Sequence, residues 1–486
     1  MSNILFFPFR TYSPHFETDL ELIKLESENK DNNIYVLFCN GGFKSCDNNF
    51  ENKKRICKAC VNKRKRAFKI IKSSNIKIID LNNYKKNNYS LPCNEHNIDS
   101  IKRIYIDSYS IGYSILSSLE NILDESSFND CIHIIHNLYF EGYNLYYIVK
   151  TIIKNYSIDK GYVYNARFCY TRAFFEAFLY ESKPIYNHDR GGKYYKYILI
   201  KNEMLHDIDN YPNLINEFWD IENNELLKKQ IADNFFKDRF AGKPTNDVSY
   251  TNKQNLNKLP ENYSVYNKIV VIYDSSSYEY DYISDEYTYK FYNSQSDGIN
   301  KIVDTLSAYP EIGIFLREHP NQNNRNNEQR ANLRNIKANN FHLISAESDI
   351  SSYTLLTKAN VVITFNSTIG IEATYWRIPS ILCSNSIYEK LNIAYMPSSH
   401  DELIKLILSD LKPIPIEDTL KLGYYFSNSG INYKYYTPKD LHGGLFMGHD
   451  LEGLKNKIIK LFRKYFPSIF KYLITIKKYL SNFKKK

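Results

Sequence analysis

The chain has 486 residues, 43% of them hydrophobic, with 44 Tyr and 28 Phe; this is enough apolar material for two or three cores and excludes a disordered protein. Its net charge is +9, yet residues 454–486 hold eleven Lys/Arg and no Asp or Glu, so the remainder stands at −2. A near-neutral body excludes a broad nucleic-acid surface, and no apolar run reaches the roughly 18 residues of a membrane span.

The opening "MSNILFFPFRTYSPHF" lacks a basic n-region, and its apolar run is too short for a secretory signal. The protein therefore reads as cytosolic, and its eight Cys as free thiols or metal ligands rather than disulfides. "NILFFPF", "NIYVLFC", "IKIIDL" and "CIHIIHNLYF" predict strands, whereas "IGYSILSSLENIL" and "YNLYYIVKTIIKNY" have helical spacing. Within this part Cys39, Cys46, Cys57 and Cys60 follow the pattern C-x6-C-x10-C-x2-C. Four thiolates suit a tetrahedral structural zinc and leave no open position for catalysis; the alternative is four unrelated thiols. "KRKR" at 63–66 reads as a solvated helix face rather than part of a nucleic-acid-binding knuckle.

"GYVYNARFCYTRAFFEAFLYESKPIYNHDRGG" then reads strand, polar loop, helix, strand, polar loop. Alternation of this kind predicts a parallel sheet with helices on its faces. Residues 241–265 are polar, carry Gly, Pro and Asn and have no periodic apolar face, which predicts a linker. A second series follows: "KIVVIYD", a helix around 292–309, "IGIFLRE", "FHLIS", "ANVVITF", a helix after Ser367, and "PSILC". "NQNNRNNEQRANLRN" predicts an exposed loop entering a helix, and the acidic "DYISDEY" (281–287) a solvated helix start. The expected fold is α/β, with two Rossmann-like parallel-sheet domains facing a central cleft. Its parts are 1–240, the linker 241–265, a nucleotide-binding domain 266–415, and C-terminal helices with a basic amphipathic tail over 416–486.

Ligands of open α/β sheets bind at the carboxyl edge of the strands. Three polar clusters of the second series follow strands and are expected to meet at that edge: "YDSSSYEYDY", "REHPN" and "FNSTIGIEATYWRIPSIL". Asn366, Ser367 and Thr368 close a strand and open a helix, where hydroxyls cap and free amides attract anions. Arg317 and His319 add positive charge and donors from the other side, and Glu372 lies within reach of a ribose. The run from "VVIYDSSSYEYDY" through Gln295, "FLREHPN" and "VVITFNSTIGIEATYWRIPSI" resembles bacterial capsule and surface-polysaccharide glycosyltransferases of GT-B fold. Its His-Pro and Ser-Thr pair is similar to the motifs of sialyltransferases, β-Kdo transferases and CDP-glycerol polymerases. The resemblance implies a cytidine-nucleotide donor, with His319 on its phosphate, Ser367 and Thr368 holding phosphate at the helix end, and Ser275 and Ser276 lining the cleft. It also implies that catalysis needs no metal.

Glycosyl transfer to a hydroxyl needs a base. Where the relatives carry two acids and a glycine, this chain has "FEG", leaving Glu141 beside Asp189 and His188 of "NHDRGG" as candidates. Asn165 and Arg167, in an Asn-x-Arg after a strand, resemble the family's acceptor domain. The tail mixes Lys with Ile, Leu, Phe and Tyr, as expected of a helix lying on an anionic membrane surface. The sequence thus predicts a metal-independent glycosyltransferase, cytoplasmic and peripheral on the inner face of the cell membrane, with no nucleic-acid partner. Its donor is expected to be a CMP-sugar and its acceptor a capsular or other surface polysaccharide or glycolipid. The alternatives are a CDP-polyol phosphotransferase of teichoic-acid type and a non-catalytic partner in a capsule assembly complex.

Overall fold

The computed structural model describes residues 1–88, 90–92, 97–119, 128–243, 254–276, 280–287, 289–322 and 328–452. The basic tail and residues 244–253 of the expected linker lie outside these residues. The apolar runs of the first half form strands β1 (Asn3–Phe6), β2 (Asn33–Phe38) and β3 (Ile76–Asp80). A short hairpin, β4 (Tyr105–Ile106) and β5 (Tyr109–Ser110), precedes β6 (Lys160–Tyr164), β7 (Ile185–Arg190) and β8 (Lys196–Lys201). Ile4, Leu5 and Phe6 are wholly buried, as expected where helices cover both faces of a parallel sheet.

The second half supplies β9 (Lys268–Tyr273), β10 (Ile312–Arg317), β11 (Phe341–Ile344), β12 (Val361–Thr364) and β13 (Ser380–Leu382). The chain then returns as β14 (Ile431–Asn432) and the hairpin β15 (Tyr436–Asp440) and β16 (Gly443–Phe446). Two main sheets result, ordered β14-β8-β7-β6-β1-β2-β3 and β11-β10-β9-β12-β13. The second is parallel throughout; the first is parallel except for β8, which pairs antiparallel with both β7 and β14 at one edge. The fold is therefore two Rossmann-like α/β units, as the alternation predicts.

Two stretches differ from expectation in secondary structure. "CIHIIHNLYF" lies inside one helix, Phe128–Asn155, which runs on through Gly142. Ten apolar residues fit strand or helix equally by periodicity, and the contacts decide. Ile134, Ile135, Leu138, Leu145, Val149 and Ile152 share one core at helical spacing, and a Cβ on Gly142 would stand 2.7 Å from Cys169 Sγ. "DYISDEY" forms turns, not a helix start. Ile283 and Tyr287 pack on Ile208, Tyr113 Oη donates to Asp285 at 2.5 Å, and Ser117 donates to the Tyr282 carbonyl. The stretch straps the second unit onto the first because its Tyr and Ile find apolar partners across the cleft.

Helices Tyr211–Ile221, Glu225–Phe240 and Glu417–Asn428 bridge the two sheets. Phe236 stacks on Tyr375 with centroids 4.2 Å apart and shares a core with Ile371, Leu382 and Leu422. The hairpin β15–β16 covers the first sheet, its Tyr436 and Phe446 packing with Ile4 and Phe6. The Glu21 carboxylate accepts from the amides of Lys434, Tyr435 and Tyr436 at 2.6–2.9 Å.

Candidate active site

Adjacent strands β9, β10 and β12 end at one level: Tyr273 pairs with both Arg317 and Thr364. Asp274, Glu318 and Phe365 therefore leave the sheet side by side, and the three polar clusters converge at its carboxyl edge. Inside "FLREHPN" the charges part company. Arg317 is 1% exposed and turns away from the edge, donating to Ser352 Oγ at 3.3 Å, to the Ser348 carbonyl at 3.2 Å and to the Ser345 carbonyl. Glu318 is fully buried and holds Arg330 at 2.8 Å and the Ala346 amide at 2.9 Å. Burial alone would raise its pKa, but Arg330 and that amide outweigh it and hold the carboxyl below its usual range. Both residues build the corner.

His319 occupies the turn itself. Its amide donates to the carboxyl oxygen Oδ1 of Asp274, and its Nδ1 accepts from the Asn321 amide at 3.2 Å, which leaves the ring proton on Nε2. Burial, then Arg317 and Arg239, push its pKa down to about 4. The imidazole is thus a neutral donor at pH 7, not the cation expected from sequence. Asp274, unnoticed in the sequence, is pushed up to about 8, chiefly by burial and further by Glu318, against the His319 amide, Arg317 and Arg330.

Ser275 is tied to Gln295, which accepts from its amide at 2.9 Å and its hydroxyl at 2.8 Å. Ser276 Oγ and Asn366 Oδ1, beyond the neighbouring strands β9 and β12, are buried without a hydrogen-bond partner among the described residues. Such orphans carry a penalty that a ligand hydroxyl or amine relieves. Ser367 accepts from the Ile369 amide at 3.5 Å and, through its carbonyl, from Tyr388 at 3.1 Å. Thr368 opens helix Ile369–Tyr375 without a side-chain cap bond. Glu372 has both oxygens engaged, one with Arg239 Nε at 3.0 Å and the other with Tyr353 Oη at 2.6 Å; it clamps the two units together.

The first sheet offers its own carboxyl edge. Asn165 and Ala166 leave β6 with φ of 55° and 43°, strained for side-chain-bearing residues, and aim Asn165 Nδ2 at Asp189 Oδ2, 2.5 Å away. Asp189 Oδ1 accepts from the Arg190 amide at 2.7 Å and stands 3.6 Å from His15 Nδ1. Burial would raise the Asp189 pKa, but His15, the Arg190 amide and Asn165 hold it low. His15 is pushed down to about 3, mainly by burial, and His206, which interacts with both Arg167 and Asp189, to about 4. The structure thus gathers Asp189, Asn165 and Arg167 with His15 and His206. Neither histidine stood out in sequence, although "SPHF" follows a strand toward the same edge. His188 instead points inward, wholly buried, with Nε2 2.9 Å from Asp19. Glu141 sits in the long helix, held by the Lys44 amide at 2.9 Å and Lys86 at 2.7 Å.

A cavity of about 270 Å³ lies between the units, lined by Arg190, Gly191 and Gly192 from one and by Thr368 and Glu372 from the other, with Arg239 and several aromatic rings. The glycines are required there: a Cβ on Gly192 would stand 2.5 Å from the Asn428 amide nitrogen. A second cavity of about 630 Å³ opens in the first unit, and Arg190 lines it as well. Beside it, Cys39, Cys46, Cys57 and Cys60 border a small space of about 20 Å³, with the buried Arg64 3.5 Å from Cys39 Sγ. Among the described residues no group of three or more His, Cys, Asp or Glu is placed to hold a metal ion, and no helix is long and apolar enough to cross a membrane.

No family model and no curated protein matches this chain. Among solved structures, the β-Kdo 2,4 transferase KpsC of Thermosulfurimonas dismutans aligns with a TM-score of 0.38 and 12% identity, over 55% of this chain and 79% of that one. UDP-bound MnaA of S. aureus aligns with a TM-score of 0.27 and 11% identity, over 96% and 97%. The UDP-GlcNAc 2-epimerase of Neisseria meningitidis aligns with a TM-score of 0.27 and 12% identity, over 95% and 100%.

Proposed function

We propose that the chain is a glycosyltransferase that moves a sugar from a nucleotide donor to a surface-glycan or glycolipid hydroxyl. The observation that carries this reading is the meeting of two carboxyl edges. Three strand exits, two of them with an orphaned polar group, end one sheet, Asp189 and His15 end the other, and a cavity lined by Arg190 from one unit and by Thr368 and Glu372 from the other lies between the units. In the reaction the acceptor oxygen attacks the anomeric carbon, the bond from that carbon to the donor phosphate breaks, and the acceptor proton passes to the Asp189–His15 pair. His319 Nε2–H and the hydroxyls of Ser367 and Thr368 meet the charge growing on the leaving phosphate. Ser276 and Asn366 satisfy hydroxyls of the nucleoside or sugar.

The preference for a CMP-sugar rests on the resemblance of the His-Pro and Ser-Thr motifs. The basic composition of 454–486 supports a place on an anionic membrane surface, which vesicle flotation with and without anionic lipid tests. The nucleotide is tested by thermal unfolding with CMP, CDP, UDP and GDP. A specific nucleotide at a hundred times its Kd stabilises by about 2.7 kcal/mol, and His319→Ala should abolish the shift. Absence of a shift with all four would sink the reading and favour a non-catalytic partner.

A further inference from the structure

The larger cavity, in the first unit, is not explained by donor binding. It is walled by the loop after β1, one face of helix Lys54–Ile71 and the end of β7. Its volume of about 630 Å³ falls within the ordinary range of small-ligand sites, roughly 300–1,000 Å³. Four of its lining residues are cationic: Arg10, Lys63, Arg66 and Arg190.

Two of these are neutralised. Arg10 pairs with Asp47 at 3.0 Å, and Lys63 with Glu17 at 3.1 Å and Glu452 at 3.0 Å. The other two are not. Arg66 donates through Nε and Nη2 to the Leu451 carbonyl at 2.9 and 2.8 Å. Arg190 donates through Nη2 to the Leu441 carbonyl at 3.2 Å, and its Nε is buried without a partner among the described residues. Among the described residues neither guanidinium forms an ion pair with a carboxylate. Carbonyl bonds hold a guanidinium in place but leave its charge uncompensated, and the planar fork favours an oxyanion.

We infer that this cavity binds the acceptor and selects one carrying an oxyanion, the carboxylate of an acidic sugar or the phosphate of a phosphoryl-linked carrier. The inference rests on the glycosyltransferase reading and extends it. Arg190 lines both cavities and follows Asp189 directly. An anion held on its guanidinium therefore brings the neighbouring hydroxyl to the boundary with the donor space, beside Asp189 and His15. Arg66 on the facing helix is the second anchor, and Arg10 packs under the site with its guanidinium carbon 3.5 Å from the Phe168 ring centroid.

Ligand-observed NMR on the full-length protein tests this with sialyllactose, geranyl phosphate and neutral lactose. At least one anionic probe should bind where lactose does not, and the one that binds identifies the source of the oxyanion. Arg66→Gln should weaken that probe by about tenfold, and Arg66→Lys should recover part of the affinity, because it keeps the charge but not the planar fork. Unfolding curves establish that both variants are folded. Equal binding of lactose, no anionic binding, or unchanged binding in Arg66→Gln would overturn the inference. The nucleotide shift is read separately: a nucleotide that stabilises without anion binding fails this inference alone, and anion binding without a nucleotide shift fails the glycosyltransferase reading.

Discussion

The protonation state of His319 gives the sharpest test of the donor corner. With its pKa near 4, even a rise of about one unit on meeting a phosphate leaves the ring only about 3% charged at pH 6.5. Its contribution is then one N–H···O⁻ bond from Nε2, about 1.5–3 kcal/mol, or roughly 10–150-fold in Kd. His319→Ala should lose that amount. His319→Gln, whose side-chain amide places an N–H near the same point, should recover most of it. Titration calorimetry with CMP at pH 6.5 and 8.0 measures both, and the ratio of variant to wild-type Kd cancels the titration of the nucleotide itself. That ratio should stay flat. A ratio for His319→Ala that climbs about tenfold between pH 8.0 and 6.5 would mean an imidazolium with an ordinary pKa near 6.5, and the buried neutral donor would be wrong.

Asp189→Asn should leave nucleotide-induced stabilisation intact while lowering kcat about 10²–10⁴-fold, the usual range for loss of acid–base assistance; a loss of nucleotide binding instead would place Asp189 with the donor. Asp274→Asn should flatten the dependence of stability on pH. The folded chain holds the Asp274 proton up to about pH 8, whereas the unfolded chain releases it near pH 4. The wild type should therefore be most favoured below pH 4 on this account and lose roughly several kcal/mol of that contribution as pH rises through 8; parallel melting curves for both proteins from pH 5 to 9 would refute it. Arg239→Ala strands the buried Glu372 carboxylate, which is 3% exposed against 23% for the arginine. It should destabilise by about 3 kcal/mol, the lower end for a broken buried pair, as chemical denaturation would measure.

Much of the second sheet was legible because β9, β10 and β12 are short apolar runs that each end in polar residues, and parallel pairing forces such ends to one edge. What those ends do there was not legible. "REH" reads as three ligands-in-waiting, but a strand alternates faces, so successive side chains cannot all meet one ligand. Arg317 and Glu318 serve the packing around β11 and the helix at 328–335, and His319 alone of the three remains in the turn toward the cleft. Glu372 reads as a ribose partner until Arg239, 133 residues away in sequence, takes one oxygen. His15 and His206 were invisible because a single histidine has no spacing: His15 opens the helix after β1 and His206 lies in the turns after β8, and only the order β8-β7-β6-β1 brings both to Asp189 on β7. The charge of "KRKR" misled in the opposite direction, since Lys63 and Arg64 are 5% and 2% exposed.

The return of the chain to its first sheet has a consequence for how the protein can be made. Strand β8 offers an open edge until β14, more than 200 residues later in the sequence, pairs with it. Glu21 likewise waits buried for the amides of 434–436, and Ile4 and Phe6 wait for Tyr436 and Phe446. A nascent chain released as far as residue 240 therefore presents an unpaired strand, an unsatisfied carboxylate and an uncovered apolar face, a state prone to association with its own kind. The first unit matures only after the second has been synthesised. An expression fragment ending between the sheets should accumulate in aggregates, and a workable half-molecule would have to carry residues 417–452 fused behind residue 240.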